Sequence, residues 1–326
     1  MDNQNTAQNN SEQTSASKYL SYTGFIVIVG ITLFAFISLF NSSLNIKIGT
    51  DASDRFQVID KEDRRYLLIN GQAKQFIDLS DMKSYARYTA VMELPMHMFI
   101  NPGRMLLCGL GVGSLAREYN LKGWSVDIFE TDTALVNLAQ NYFGFNPSII
   151  PVYHQNGREY LNDSVEPYRI ILIDGICSAE YHVESMTKDF FTLASSKLTT
   201  DGILAIAFES QGWYDDLVSS VSATLKQNFK EVFVYPIVEP PSLFGSIVIM
   251  ASNAQHNDLI RDLERNDTFS PFWRYGPEYQ KVHAWDNRFI AEDKNSVILT
   301  DEKPLSPLII DRLKQASWKV PKDYLP

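Results

Sequence analysis

Leu106–Tyr119 reads LLCGLGVGSLAREY: an apolar run, then Gly109, Gly111 and Gly113 at alternate positions, then what reads as the first turn of a helix. A turn directly off a buried strand needs glycine where φ is positive or where the backbone must approach a ligand. The helix that follows offers free N–H groups and a positive dipole end. The glycines fall as G-x-G-x-G, which matches the dinucleotide fingerprint imperfectly, and no Lys-Ser or Lys-Thr follows as a phosphate loop requires. Glu130 stands 21 residues after Gly109, at the end of the next strand-like run, where a carboxylate can accept hydrogen bonds from both hydroxyls of a ribose. Asn156 can offer its amide to an adenine edge or serve as a turn residue. Asp174 closes the apolar run ILID, so a buried strand aims its carboxylate into the same crevice, where it could hold or deprotonate an attacking amine.

These residues need a scaffold that gathers strand ends. From Arg104 onward short apolar runs alternate with amphipathic ones: MLLCGL and LAREYN, SVDIFE and ALVNLAQNYF, YRIILID and TKDFFTLASSKL, GILAIAFES and WYDDLVSSVSATLKQNF. That alternation predicts a mostly parallel sheet with helices on both faces. EVFVYPIVEP and LFGSIVIMAS, with only a short link between them, predict an antiparallel pair at its edge. Ahead of this domain, FQVID and RYLLIN flank a charged turn and Asn70-Gly71 introduces QAKQFIDL, a small antiparallel unit. Tyr85, Tyr88, Met92 and Pro95 recur at helical intervals before Asn101-Pro102-Gly103.

Across all 326 residues, 45% are hydrophobic and 21% charged, which excludes wholesale disorder. A formal charge of -10 argues against nucleic acid as a partner. The two cysteines, Cys108 and Cys177, have neither disulfide-framework nor zinc spacing and read as buried, reduced thiols. Gly24–Phe40 has no charged residue and follows a polar tail, which predicts a single-pass membrane helix. The expected organisation is a disordered tail at 1–22, a transmembrane helix at 23–41, the small β unit with its connecting helix at 42–99, and a Rossmann-like domain at 100–326.

Taken in order, Arg87–Glu118, VDIFETDTALVNLAQNYFGF, NGREYL, YRIILID and MTKDFFTLASSKLTTDGILA resemble the spermidine synthases and their membrane-attached relatives, within the S-adenosylmethionine-dependent methyltransferase fold class. The resemblance runs from about Phe56 to Leu305. It implies a sulfonium nucleoside, decarboxylated S-adenosylmethionine or S-adenosylmethionine, as co-substrate, with no tightly bound cofactor and no metal. The glycine turn would accommodate its amino-acid-derived part, Glu130 its ribose, and Asp174 would orient the acceptor amine. A small-molecule amine is the implied acceptor, and a homodimer the implied assembly. Because such nucleosides are made in the cytosol, the domain beyond the membrane helix is expected to face the cytoplasm.

Three departures bear on the acceptor. The family commonly has Asp where this chain has Asn156, and a second acid shortly after Asp174, where this chain has Gly175, Ile176 and Cys177. Polyamine pockets use several carboxylates because an ammonium is costly to desolvate without a partner; Glu180, Glu184 and Glu209 are the acids placed to substitute. In the helix before the Rossmann-like domain, Arg87, Tyr88 and Thr89 replace a Tyr-His/Gln-Glu triplet, leaving Tyr88 as a pocket or core residue. Aminopropyl transfer is the expected activity, with methyl transfer to a small molecule and a non-catalytic nucleoside-binding protein as alternatives.

Overall fold

The computed structural model describes residues 46–51, 55–176, 183–237, 245–256 and 276–305, which apart from Ile46 belong to the compact unit Lys47–Pro326. Four strands, β1 (Ile46–Thr50), β2 (Phe56–Lys61), β3 (Arg64–Ile69) and β4 (Gln72–Asp78), form a sheet in sequence order, with β2–β3 and β3–β4 antiparallel. Asn70 and Gly71 connect β3 to β4 with φ of 52° and 76°, the left-handed pair that a two-residue hairpin with the strands' own twist demands. At Leu67/Leu68 the register shifts, so that Leu67 faces Gln75 and Leu68 faces Ala73; Lys74 is the extra residue of a β-bulge.

The second sheet has seven strands in the order β10-β11-β9-β8-β5-β6-β7. These are β5 (Arg104–Cys108), β6 (Ser125–Phe129), β7 (Val152–Tyr153), β8 (Tyr168–Asp174), β9 (Leu198–Glu209), β10 (Glu231–Tyr235) and β11 (Ser246–Ser252). Strands β5 to β9 pair in parallel, and β11 runs antiparallel to both β9 and β10. The expected α/β, Rossmann-like architecture with an antiparallel end is the one observed. The two-residue β7 is an addition, too short for an apolar period to reveal.

Alternation along the strands divides the core in two. Met105 and Leu107 join Ile170, Leu172, Ala205 and Ala207 on one face, while Leu106 and Cys108 join Ile171, Ile173, Leu204 and Ile206 on the other. The first face is covered by α1 (Arg87–Met92), α2 (Ser114–Leu121), α3 (Thr133–Tyr142) and α7 (Pro277–Asp286). The second is covered by α4 (Gly157–Asp163), α5 (Lys188–Ser196) and α6 (Asp216–Leu225). Asp132, Asn156, Thr187 and Asp215 cap α3, α4, α5 and α6, each accepting a backbone N–H near the start of its helix.

Placement in a membrane requires correction. No helix among the described residues is long and apolar enough to cross a bilayer. The longest hold 10 residues, a rise of about 15 Å against a hydrocarbon thickness of about 30 Å. The expected span at 23–41 lies outside the described residues. Cys108 is buried, and burial pushes its thiol well above the usual range; Cys177 lies outside the described residues.

Candidate active site

The glycine turn leaves the carboxyl end of β5, the middle strand of the group β8-β5-β6. Glu130 therefore follows the neighbouring strand on one side and Asp174 ends the neighbouring strand on the other, about 10 Å apart across two strand spacings. Such an edge, where strand ends converge, is where open α/β sheets bind ligands.

Glu130 is buried, and its two oxygens are held by the backbone. Oε2 accepts the Leu110 N–H at 3.1 Å and Oε1 the Asp132 N–H at 2.8 Å. Each carboxylate oxygen has a further lone pair, which leaves capacity for two hydroxyl donors. Burial raises the Glu130 carboxyl above its ordinary range, and the two backbone donors partly oppose that rise. Glu130 lines a cleft of about 1410 Å³ together with Gly109, Asp132, Asn156, Arg158 and Asp301. Arg158 grips Asp301 with two hydrogen bonds, at 2.6 and 3.0 Å, and Thr187 adds a third at 2.7 Å, which closes one lip of the cleft and holds the Asp301 carboxyl below its ordinary range.

Asp174 is 1% exposed. Its Oδ2 accepts the Tyr88 hydroxyl at 3.1 Å and the Gln75 amide at 3.2 Å, and its Oδ1 accepts the Ile176 N–H at 3.2 Å. The Gln75 amide also donates to the Tyr88 oxygen, while the Gln75 carbonyl oxygen accepts the Val112 N–H at 2.7 Å. One buried side chain of the hairpin sheet thus joins the glycine turn to the acid of β8.

The bulge explains how. Consecutive residues of a regular strand point to opposite faces. At this bulge Lys74 and Gln75 both reach the carboxyl edge of the larger sheet: Lys74 Nζ lies 2.7 and 2.8 Å from the two oxygens of Glu209, the last residue of β9. Asp174 registers with Ala207, so Glu209, two residues on, shares its face of the sheet.

The expected residues divide accordingly. Gly109, Glu130 and Asn156 meet in the cleft. Tyr88 and Asp174 meet beside it without lining it, and the Tyr88 ring also packs in the core. Gly111 and Gly113, with φ of 55° and 76°, make room for protein: a Cβ would stand 2.5 Å from Gln75 Oε1 in the first case and 2.7 Å from the Phe145 ring in the second. Asn156 spends its carbonyl oxygen on the Arg158 N–H at 2.8 Å, as a helix cap. Glu209 is engaged by Lys74, and Glu180 lies outside the described residues. Lys74 and Gln75 were not singled out from the sequence. Their available signal was two adjacent long polar residues inside QAKQFID, which breaks the period of a strand.

A sequence profile of the spermine/spermidine synthase domain matches residues 83–262. The chain belongs to that family. Among its curated family relatives, polyamine aminopropyltransferase 1 of Aquifex aeolicus is 25% identical over 59% of this chain and 70% of its own length. The polyamine aminopropyltransferase of Streptococcus uberis is 28% identical over 43% of this chain and half of its own length. The crystal structure of spermidine synthase from Thermotoga maritima superposes with a TM-score of 0.55 at 17% identity, covering 74% of this chain and 83% of that one, a likeness of fold.

Proposed function

We propose that this spermidine synthase family member transfers an aminopropyl group from decarboxylated S-adenosylmethionine to an amine. The observation that carries the reading is the pair of buried carboxylates, Glu130 and Asp174, on either side of one glycine turn. The nucleoside lies in the cleft with its ribose hydroxyls on Glu130 and its sulfur beside Gly109. The acceptor amine comes to Asp174, is held there by its N–H, and places its lone pair on the carbon next to sulfur. The new N–C bond forms as the C–S bond breaks; the electron pair stays on sulfur, which becomes a neutral thioether in methylthioadenosine, and the nitrogen passes a proton to Asp174 or water. The leaving group is already cationic at the start, so alignment and a deprotonated nucleophile are the main requirements.

The basic residue beside the turn, Arg117, supports the decarboxylated donor, while Arg104 begins β5 at the opposite edge of the sheet. Arg117 gives its guanidinium to the Phe143 and Met82 carbonyls, and Arg104 gives its own to Asp127 and Glu166. The terminal nitrogens of Arg117 are thus committed to backbone carbonyls and not to a donor carboxylate. Calorimetric titration with decarboxylated S-adenosylmethionine, S-adenosylmethionine and methylthioadenosine tests the reading, together with detection of methylthioadenosine when an amine is added. Preference for the carboxylated donor, or no methylthioadenosine release with any amine, overturns it.

A further inference from the structure

We infer that Lys74 is a specificity-determining residue that fills the second cation position of the acceptor pocket, so that the acceptor is a monoamine with an uncharged tail. The inference deepens the proposed function and rests on it for the position of the acceptor. Glu209 is the described acid that shares a sheet face with Asp174 on the adjacent strand, two residues beyond its register partner. It is where a diamine bound at Asp174 would seek a partner for its distal ammonium, because an ammonium is costly to bury alone. That partner is already taken. Lys74 Nζ meets both Glu209 oxygens at 2.7 and 2.8 Å, with the two side chains 9% and 12% exposed.

The β-bulge makes the arrangement specific to this site. Lys74 is its extra residue, and the residue beside it, Gln75, contacts Asp174. One irregularity therefore sets one partner of the reacting acid and the ion-pair partner of Glu209. With Lys74 present, the pocket end at Glu209 is a neutral ion pair. A second substrate ammonium there would face the Lys74 charge, whereas an uncharged tail avoids that repulsion.

The test compares butylamine with 1,4-diaminobutane on the full chain, with methylthioadenosine present, by calorimetry and thermal melting. The wild type is expected to bind butylamine at least as tightly as the diamine. Lys74→Met is expected to raise affinity for the diamine at least tenfold while changing that for butylamine less than threefold. If Lys74→Met is destabilised by the uncompensated acid, the diamine restores its melting temperature and butylamine does not; Lys74→Gln, which keeps a hydrogen bond to Glu209, gives the same ordering in a milder background. A wild type that prefers the diamine tenfold, a ratio unchanged in both variants, or binding of neither amine overturns the role of Lys74. Methylthioadenosine release is followed in parallel with the decarboxylated donor. Its absence counts against aminopropyl transfer alone, since the amine-binding ratio decides the role of Lys74 by itself.

Discussion

Gln75 donates its amide N–H to Asp174 at 3.2 Å while its carbonyl oxygen takes the Val112 N–H of the glycine turn. Gln75→Leu breaks both contacts at once. The unsatisfied Val112 N–H should cost about 1–3 kcal/mol of stability, read by denaturant unfolding. The loosened Asp174 should lower kcat about 10²-fold, since small misplacements of a reacting group carry penalties of that size. A purely structural role for Gln75 would lower stability with kcat intact, and steady-state kinetics of the folded variant separates the two.

Glu130 and Asp174 should fail differently. Glu130→Gln keeps the size but replaces a charged acceptor by a neutral one, a loss of about 1–2 kcal/mol or roughly tenfold in donor affinity. Asp174→Asn should leave donor affinity within a factor of about three while slowing transfer about 10²–10⁴-fold, the range of general base catalysis. Calorimetry for the donor and single-turnover rates for the product check both, and equal loss of donor binding in the two variants contradicts the assignment.

Because burial raises the Glu130 carboxyl, its pH dependence has two opposite signs. For folding, the neutral form is the favoured one: its contribution is fully present below the ordinary carboxyl value and is lost as pH rises through the raised native value. For donor binding the ionised form is required, so affinity is lost as pH falls through that same raised value. Melting temperature and donor affinity measured from pH 7.5 to 5 should therefore carry opposing contributions from this group, and Glu130→Gln should remove both.

Gly111 sits at φ 55° with Gln75 Oε1 2.5 Å from where a Cβ would be. Gly111→Ala should cost about 1–2 kcal/mol for the left-handed backbone alone, and the displaced Gln75 should carry Asp174 with it. The expected signature is a fall in kcat that exceeds the rise in KM, measured beside the thermal shift.

The strand and helix order from Arg104 onward, the antiparallel end and the Asn70-Gly71 hairpin were legible because each rests on local periodicity or turn chemistry. Glu130 and Asp174 were legible for a related reason: each ends an apolar strand, and a parallel sheet brings such ends to one edge. What escaped the sequence depends on how two sheets meet. The hairpin pattern gives no register against β8 and β9, so the reach of Lys74 to Glu209 and of Gln75 to Asp174 had no local signature beyond two adjacent polar residues. The glycine spacing likewise announced tight backbone turns without saying that a Cβ at two of the three would meet Gln75 and Phe145. Nothing in the spacing of Glu209 distinguishes a strand-end acid that awaits an ammonium from one already neutralised.

The bulge at Lys74 also couples the small sheet to the large one. Its sheet packs Phe56, Val58, Leu67, Ile69 and Ile77 against Val112 of the glycine turn and against Leu135, Leu138 and Phe143, and Phe76 packs on the core of the seven strands. A substitution in the hairpin is therefore transmitted to the turn between Glu130 and Asp174, through the Val112 contact of Gln75 and the shared packing of Val112. The short ribbon and the turn thus behave as one mechanical piece, so a change made in either is read in the other.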